Sequence, residues 1–270
     1  MPELPEVETT RLGLLPHLLG QQIRALILRR HDLRWPIPRQ LPERLANERI
    51  ECLDRRAKYL LLTTSHGSAL IHLGMTGRLR ILAAPGEPGP HDHWDLRLEN
   101  GWVLRYSDPR RFGCLLWQAP GQIHPLLAKL GPEPLSEAFT GERLWQRSRG
   151  RKVAVKVFLM DQRNVVGVGN IYASESLFTA GIDPARAAGR ISCMRYARLA
   201  AAVRDTLRQA IRRGGTTLRD FHQPDGQPGY FYQDLSVYDR QGQACHHCGA
   251  PIRQRRLGQR ASYYCPHCQH

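Results

Sequence analysis

The amino-acid sequence predicts an α+β multidomain protein: a leading helix with a β-rich N-terminal part, then a helical part, then a small cysteine-rich tail. Three observations carry this. Residues 21–117 hold short apolar stretches separated by glycine and polar turns, the pattern of many short strands. From about Arg149–Arg151 the apolar spacing turns helical. The chain then closes on four cysteines in two CxxC pairs.

Local signals place each element. The first helix spans roughly Glu6 to Leu19 and stops at Gly20. Strands are expected at Ile23–Leu28, Tyr59–Thr63, Leu70–Leu73 and Leu79–Leu82. In DLRLENGWVLRY, alternating residues flank Asn100-Gly101, the pair that a two-residue type I′ hairpin prefers. Strands at such spacing suggest a β-sandwich or barrel. APGEPGP at 84–90 and GPEP at 131–134 read as loops. KVAVKVFLMD, NIYASESLFTAG and SCMRYARLAAAVRDTLRQAIRRGG read as helices, the last between a Ser192 N-cap and a stop at Gly214. An irregular Gly/Pro/Asp-rich stretch follows Gly215.

The 41% hydrophobic and 23% charged residues of the 270 are those of an ordinary soluble protein with a real core. No apolar run approaches the roughly 20 residues of a membrane span, and the N-terminus lacks the basic-then-apolar pattern of a secretory signal. A soluble cytoplasmic protein is expected. The formal net charge is +15, and +10 of it falls in residues 151–270. Such a field attracts polyanions, with nucleic acid the first candidate and an anionic membrane surface the second.

The tail is the strongest local signal. Cys245-His-His-Cys248 and Cys265-Pro-His-Cys268 are separated by sixteen residues. Four thiolates in two close pairs supply the tetrahedral site that Zn²⁺ prefers, and a site closed by four protein ligands is structural. Two disulfides are the other reading, disfavoured in a reducing compartment. Cys52, Cys114 and Cys193 lack partners at ligand spacing and are expected to be small core residues. The metal is expected to hold a hairpin whose tip carries Arg253, Arg255, Arg256 and Arg260, a natural grip for phosphate.

Two further stretches bear chemistry. In NVVGVGNIYASES, Gly167 and Gly169 permit close backbone approach and Asn170 opens a helix. Backbone N–H groups at such a helix start bind anions; an interhelical turn without a ligand is the alternative. At the other end stands MPELPEVETT. Methionine before proline is normally removed, leaving Pro2 as a free secondary amine. An α-amino group titrates near about 7.7–8, so a useful fraction is neutral at pH 7. Such an amine attacks an electrophilic sugar carbon or aldehyde and yields a cationic iminium, with Glu3 placed to move protons. The alternative is an exposed, disordered terminus.

Read together, these pieces resemble the formamidopyrimidine-DNA glycosylase / endonuclease VIII family. The motifs PELPEVET, RRAKYL, HLGMTGRL, HDHWDL, YSDPRRFG, LMDQRNVVGVGNIYASESLF and GQRASYYCPHCQ run through essentially the whole chain. The resemblance implies an N-terminal β-sandwich over 1–130, a linker over 131–150, a helix–two-turn–helix domain over 151–235 and a β-hairpin zinc finger over 236–270, with one structural zinc. Residues 216–231 would form a loop covering a flipped base.

The same resemblance implies a bifunctional DNA glycosylase and abasic-site lyase acting on oxidised purines in double-stranded DNA, a monomer, associated with the nucleoid through its DNA. Pro2 would attack C1′ and form a Schiff base, and Glu3 would transfer protons. Lys58 would donate a proton linked to β-elimination and Arg260 one linked to δ-elimination. Met75, Arg110 and Phe112 would fill the gap left by the flipped base, as an apolar plug, a hydrogen-bonding cation and a wedge. His91, Arg110 and Arg151 match DNA contacts, and Lys156 and Asn170 match residues near the lesion phosphates. PELPE with the Met75/Arg110/Phe112 set favours the oxidised-purine branch. Two rivals are an endonuclease VIII-like enzyme for oxidised pyrimidines and a zinc-finger protein that binds damaged DNA without catalysis.

Overall fold

The computed structural model describes residues 2–216 and 231–270. The body of the expected covering loop lies outside the described residues. The chain divides into two compact units, one built up to Ala128 and re-entered at Arg213, the other running from Lys129 to Arg212 and resuming at Gln233. Among the described residues, no helix is long and apolar enough to cross a membrane.

The first unit opens with helix α1 (Leu4–Leu18). It starts two residues before the apolar periodicity does, because Pro5 sits in the first turn, where its missing N–H is not needed. There follow β1 (Ile23–Leu28), α2 (Leu41–Leu45), β2 (Cys52–Arg56), β3 (Tyr59–Thr64), β4 (Gly67–His72), β5 (Arg78–Leu82), β6 (Asp92–Leu98), β7 (Val103–Ser107), β8 (Cys114–Gln118) and α3 (Pro125–Ala128). The strands form two antiparallel four-stranded sheets, ordered β1-β6-β7-β5 and β2-β3-β4-β8. One core joins them: Leu26, Leu96, Leu104 and Tyr106 from the first sheet meet Leu53, Leu60, Leu62 and Ile71 from the second, with Val7, Leu14 and Leu18 of α1. This is the sandwich the sequence predicts.

The β6–β7 hairpin forms where expected, but with a different turn. Gly101 N–H reaches Leu98 O at 3.1 Å and Leu98 N–H reaches Trp102 O at 2.9 Å. Only Gly101 has positive φ, at +86°. The connection is therefore a three-residue loop ending in a left-handed glycine, not a two-residue type I′ turn. Asn100 stays at negative φ because its Oδ1 accepts Trp102 N–H at 3.0 Å.

Asp95 of β6 sits inside a polar cluster on this sheet. Its carboxylate takes bidentate pairs from Arg105 at 2.9 and 2.8 Å and from Arg29 at 2.6 and 3.1 Å. Burial alone would raise its pKa, but the hydrogen bonds and charges of Arg105 and Arg29 outweigh it and hold the carboxyl below its ordinary range.

In the second unit, α4 (Gly141–Ser148), α5 (Val155–Met160), α6 (Asn170–Thr179) and α7 (Cys193–Arg212) precede the hairpin strands β9 (Arg253–Leu257) and β10 (Arg260–Tyr264). Helix α7 buries Tyr196, Leu199, Val203, Leu207 and Ala210 along one face, the helical period read from the sequence. Helix α4 packs on it so closely that a Cβ at Gly141 would lie 2.4 Å from Ala197 Cα. Between α5 and α6 the backbone turns twice. Asn164 N–H bonds Asp161 O at 2.8 Å, and Gly167, at φ +78°, donates to Gln162 Oε1 at 3.0 Å. The buried carboxylate of Glu175 on α6 accepts N–H from Ser236, Val237 and Tyr238 at 2.8, 3.0 and 2.8 Å. It thereby fixes the start of the tail.

Removing the central carboxylate of the sandwich cluster strands two guanidinium groups, one of them almost fully buried. Asp95→Ala is expected to lower unfolding stability by about 3–5 kcal/mol, measured by urea titration at neutral pH. Because the folded pKa is depressed, the wild-type contribution is complete above the ordinary carboxylate range and is lost as pH falls through the folded value. The gap between wild type and variant is therefore expected to narrow in acid.

Candidate active site

The second and third residues are not exposed. Pro2 is buried and Glu3 is 3% exposed. Glu3 is the N-cap of α1 in a capping box with Glu6, whose Oε2 accepts Glu3 N–H at 2.8 Å. The other oxygen of Glu6 accepts both Thr216 N–H and Thr216 Oγ1–H at 2.9 Å. One carboxylate thus grips the chain beside the terminus and the point where the chain returns to this unit. An acid at the positive end of a helix is also favoured electrostatically.

The same helix carries the anchor for Lys58. Glu8 accepts Arg55 Nε–H at 2.8 Å, and Arg55 Nη1–H reaches Ala57 O at 2.9 Å. Ala57 takes φ +54° to turn β2 into β3, and Lys58 follows it, 8% exposed. A surface lysine at a strand start is excluded by that burial. Burial would raise the Glu8 pKa, but Arg11 and Arg55 hold it below its ordinary range. Its charge therefore stays available to Arg55.

Next to Lys58, Tyr59 pairs with His72 across β3 and β4, their rings 4.8 Å apart. His72 Nδ1 accepts Gly74 N–H at 2.9 Å. Burial, then the nearby charges of Lys58 and Arg34, push the His72 pKa down to about 4. The imidazole is neutral at working pH and adds no positive charge beside Lys58.

Met75 follows this histidine and is half-buried. Arg110 and His91 are exposed, and Phe112 is 45% exposed with the Arg110 guanidinium 4.7 Å above its ring. A large aromatic at the surface with a cation on its face is a poor core residue and a good wedge.

In the second unit Arg151 is exposed and Asn170 forms the first residue of α6, behind the Gly169 N-cap. The Asn170 Oδ1 is buried and has no hydrogen-bond partner among the described residues. Lys156, expected beside phosphate, is instead 1% exposed. Its ammonium donates to Ala261 O at 3.0 Å and Ser262 Oγ at 2.9 Å, pinning β10 to α5. Arg260 is exposed at the start of β10, directly after the Gly258-Gln259 turn, in which both residues have positive φ. Arg253, Arg255 and Arg256 lie along β9 rather than at the hairpin tip, and Arg255 stacks on Tyr264 at 4.0 Å.

Cys245, Cys248, Cys265 and Cys268 bring their sulfurs within 4.8 Å of one another. The separations of 3.9 Å for Cys245–Cys268 and 3.5 Å for Cys248–Cys265 bracket the edge of about 3.8 Å that a tetrahedron with Zn–S of about 2.3 Å requires. Cys265 N–H is held by Gln269 Oε1 at 2.8 Å, and Cys245 N–H by Ala250 O at 2.8 Å. The donor set and spacing fit one structural zinc. Of the other cysteines only Cys114 is buried; Cys52 is partly exposed and Cys193 exposed, so the expectation of three core residues holds for one.

Glu6 and His72 are not among the site residues expected from the sequence. Glu6 stands three residues after Glu3, the capping-box spacing, and that signal was present in the opening decamer. For His72 the sequence holds no such sign, because its neutral state comes from burial and from Lys58.

The fold and the site together define a zinc-finger protein of the helix–two-turn–helix class. Three family models match in order: the formamidopyrimidine-DNA glycosylase N-terminal domain over residues 1–115, its H2TH domain over 130–222, and the zinc finger found in FPG and IleRS over 242–270. A formamidopyrimidine-DNA glycosylase of Stenotrophomonas maltophilia is 61% identical over 269 residues, covering all of both chains. The crystal structure of the MutM (Fpg) protein of Thermus thermophilus superposes with a TM-score of 0.89 at 41% identity, covering 99% of this chain and 98% of that one. The Lactococcus lactis Fpg in complex with a FAPY-dG-containing DNA gives 0.90 at 30% identity, covering 99% of this chain and 100% of that one. The chain belongs to the formamidopyrimidine-DNA glycosylase family.

Because the apolar cluster of the zinc module is small, Val237, Ala250, Ile252 and Tyr263 packed with Phe178 of α6, the metal holds it together. Cys248→Ala is expected to lower the metal content from one zinc per chain to none and to abolish binding to a short DNA duplex. Metal analysis and a DNA-binding titration on the same sample check both; full zinc retention would contradict the four-cysteine site.

Proposed function

We propose that this chain is a base-excision repair enzyme, a bifunctional DNA glycosylase and abasic-site lyase that removes oxidised purines such as 8-oxoguanine and formamidopyrimidines from duplex DNA. The observation that carries the reading is a buried Pro2 at the head of a capped helix, in a chain 61% identical over its full length to a formamidopyrimidine-DNA glycosylase. The solved Lactococcus lactis relative holds a FAPY-dG-containing DNA, which supports the substrate class. The bacterial cytoplasm, on the nucleoid through bound DNA, is its proposed place.

The neutral Pro2 amine attacks C1′ of the flipped nucleotide, and the bond to the damaged base breaks with its electron pair leaving on the base. Proton transfer by Glu3 accompanies base loss and opening of the sugar, giving an iminium on Pro2. Loss of a 2′ proton then expels the 3′ phosphate, and a second elimination expels the 5′ phosphate. Lys58 gives a proton at base loss and, with a smaller effect, in the first elimination, and Arg260 serves the second. Met75, Arg110 and Phe112 occupy the space of the flipped base. His91, Arg151 and Asn170 contact the DNA, and Lys156 sets the hairpin that bears Arg260.

The test compares duplexes holding one 8-oxoguanine, one thymine glycol or one preformed abasic site. Faster excision of 8-oxoguanine than of thymine glycol is expected, with cleavage leaving phosphate on both ends of the gap. Lys58→Ala is expected to slow 8-oxoguanine excision by at least about tenfold and cleavage of the preformed abasic site less. Faster removal of thymine glycol would overturn the substrate class, and equal losses in both reactions would make Lys58 structural.

A further inference from the structure

Two surface loops carry the three residues proposed to fill the flipped-base gap, and one buried carboxylate lies beneath both. Asp108 is 0% exposed. Its Oδ1 accepts Thr76 Oγ1–H at 2.6 Å, from the loop that bears Met75. Its Oδ2 accepts Gly113 N–H at 2.9 Å and Tyr106 O–H at 3.1 Å, at the far end of the loop that bears Arg110 and Phe112. Thr76 Oγ1 also accepts Arg110 N–H at 3.3 Å. Its single hydroxyl therefore bonds to both sides: to the buried acid below and to the backbone of Arg110 beside it.

The glycines around this contact leave no slack. A Cβ at Gly74 would lie 2.4 Å from Gly113 N, one at Gly113 would lie 2.4 Å from His72 O, and one at Gly77 would lie 2.2 Å from Leu73 O. The two loops approach backbone to backbone, and the Thr76–Asp108 pair is the polar fastening across that approach. Asp108 O is bonded in turn by His93 Nε2 at 2.8 Å and by Arg111 N–H at 3.2 Å, so the fastening is tied to β6.

We propose that Thr76 and Asp108 form a latch that holds the Met75 loop and the Arg110–Phe112 loop in one arrangement, and that Thr76 is a positioning residue for base extrusion. This rests on the gap-filling reading above. Threonine's hydroxyl is the only part of the side chain the latch uses. Valine matches its shape and removes both bonds, leaving a buried carboxylate oxygen short of its donor.

Thr76→Val, Thr76→Ser, Arg110→Ala and the Thr76→Val/Arg110→Ala double variant are compared under single-turnover conditions. The substrates are an 8-oxoguanine duplex and a single-stranded oligonucleotide with one abasic site. The single strand has no orphaned partner base, so gap filling is irrelevant to it. Thr76→Val is expected to slow duplex excision about tenfold and to leave single-strand cleavage within about twofold. Thr76→Ser should restore the duplex rate. The double variant should be little slower than Arg110→Ala, because the latch acts through that loop. If Arg110→Ala slows duplex excision and Thr76→Val does not, the latch is overturned while the gap-filling reading stands. Equal slowing on both substrates by Thr76→Val, or no rescue by serine, also overturns the latch. If Arg110→Ala leaves duplex excision unchanged, the gap-filling reading fails and the latch fails with it.

Discussion

The carboxylate of Glu6 turns a chain end into a fixed group. Termini are ordinarily the least ordered part of a domain, and an amine that wanders cannot be aimed at one carbon atom. Here Glu6 accepts the N–H of Glu3 from one side and the N–H and hydroxyl of Thr216 from the other. Pro2 is buried, and α1 is held in turn by Glu8 and Arg55 against the strand turn that carries Lys58. Aligning reacting groups in advance accounts for much of what an enzyme contributes to rate. In the proposed mechanism that alignment falls to Glu6 and Glu8, two carboxylates from the first ten residues.

That use of acids explains the charge pattern of the whole chain. Glu3, Glu6, Asp92, Asp95, Asp108 and Glu175 are all buried, each bonded to backbone N–H groups, hydroxyls or guanidinium groups. These six acids act as internal struts, while Arg110, Arg151, Arg253, Arg256 and Arg260 face solvent. The surface is thus more positive than the net charge of +15 suggests. A polyanion meets arginines, and the acids that order the scaffold do not repel it.

Features written in local sequence were legible. The zinc ligands were, because their spacing fixes which thiolates can meet. The sandwich and the long α7 were visible in their periods. The type of the β6–β7 turn was not, since the Asn100 side chain chose the backbone path by bonding Trp102. Burial of Lys58 and Lys156 was hidden too. Lys58 follows a polar run and Lys156 interrupts an apolar helix, and their burial appears only once the covering elements, β10 over Lys156 among them, are assembled. Asp108 lies in the quoted YSDPRRFG motif, yet its bond to Thr76 spans 32 residues and follows only from the sandwich topology.

The central claim is that the Pro2 amine is the nucleophile. Borohydride trapping on a single 8-oxoguanine duplex, followed by mass mapping of the crosslinked peptide, tests it most directly, with the intact mass confirming that Met1 has been removed. A covalent adduct on the N-terminal peptide at Pro2 is expected. An adduct mapped to Lys58, or a processed chain that traps nothing while still binding the duplex, would contradict it.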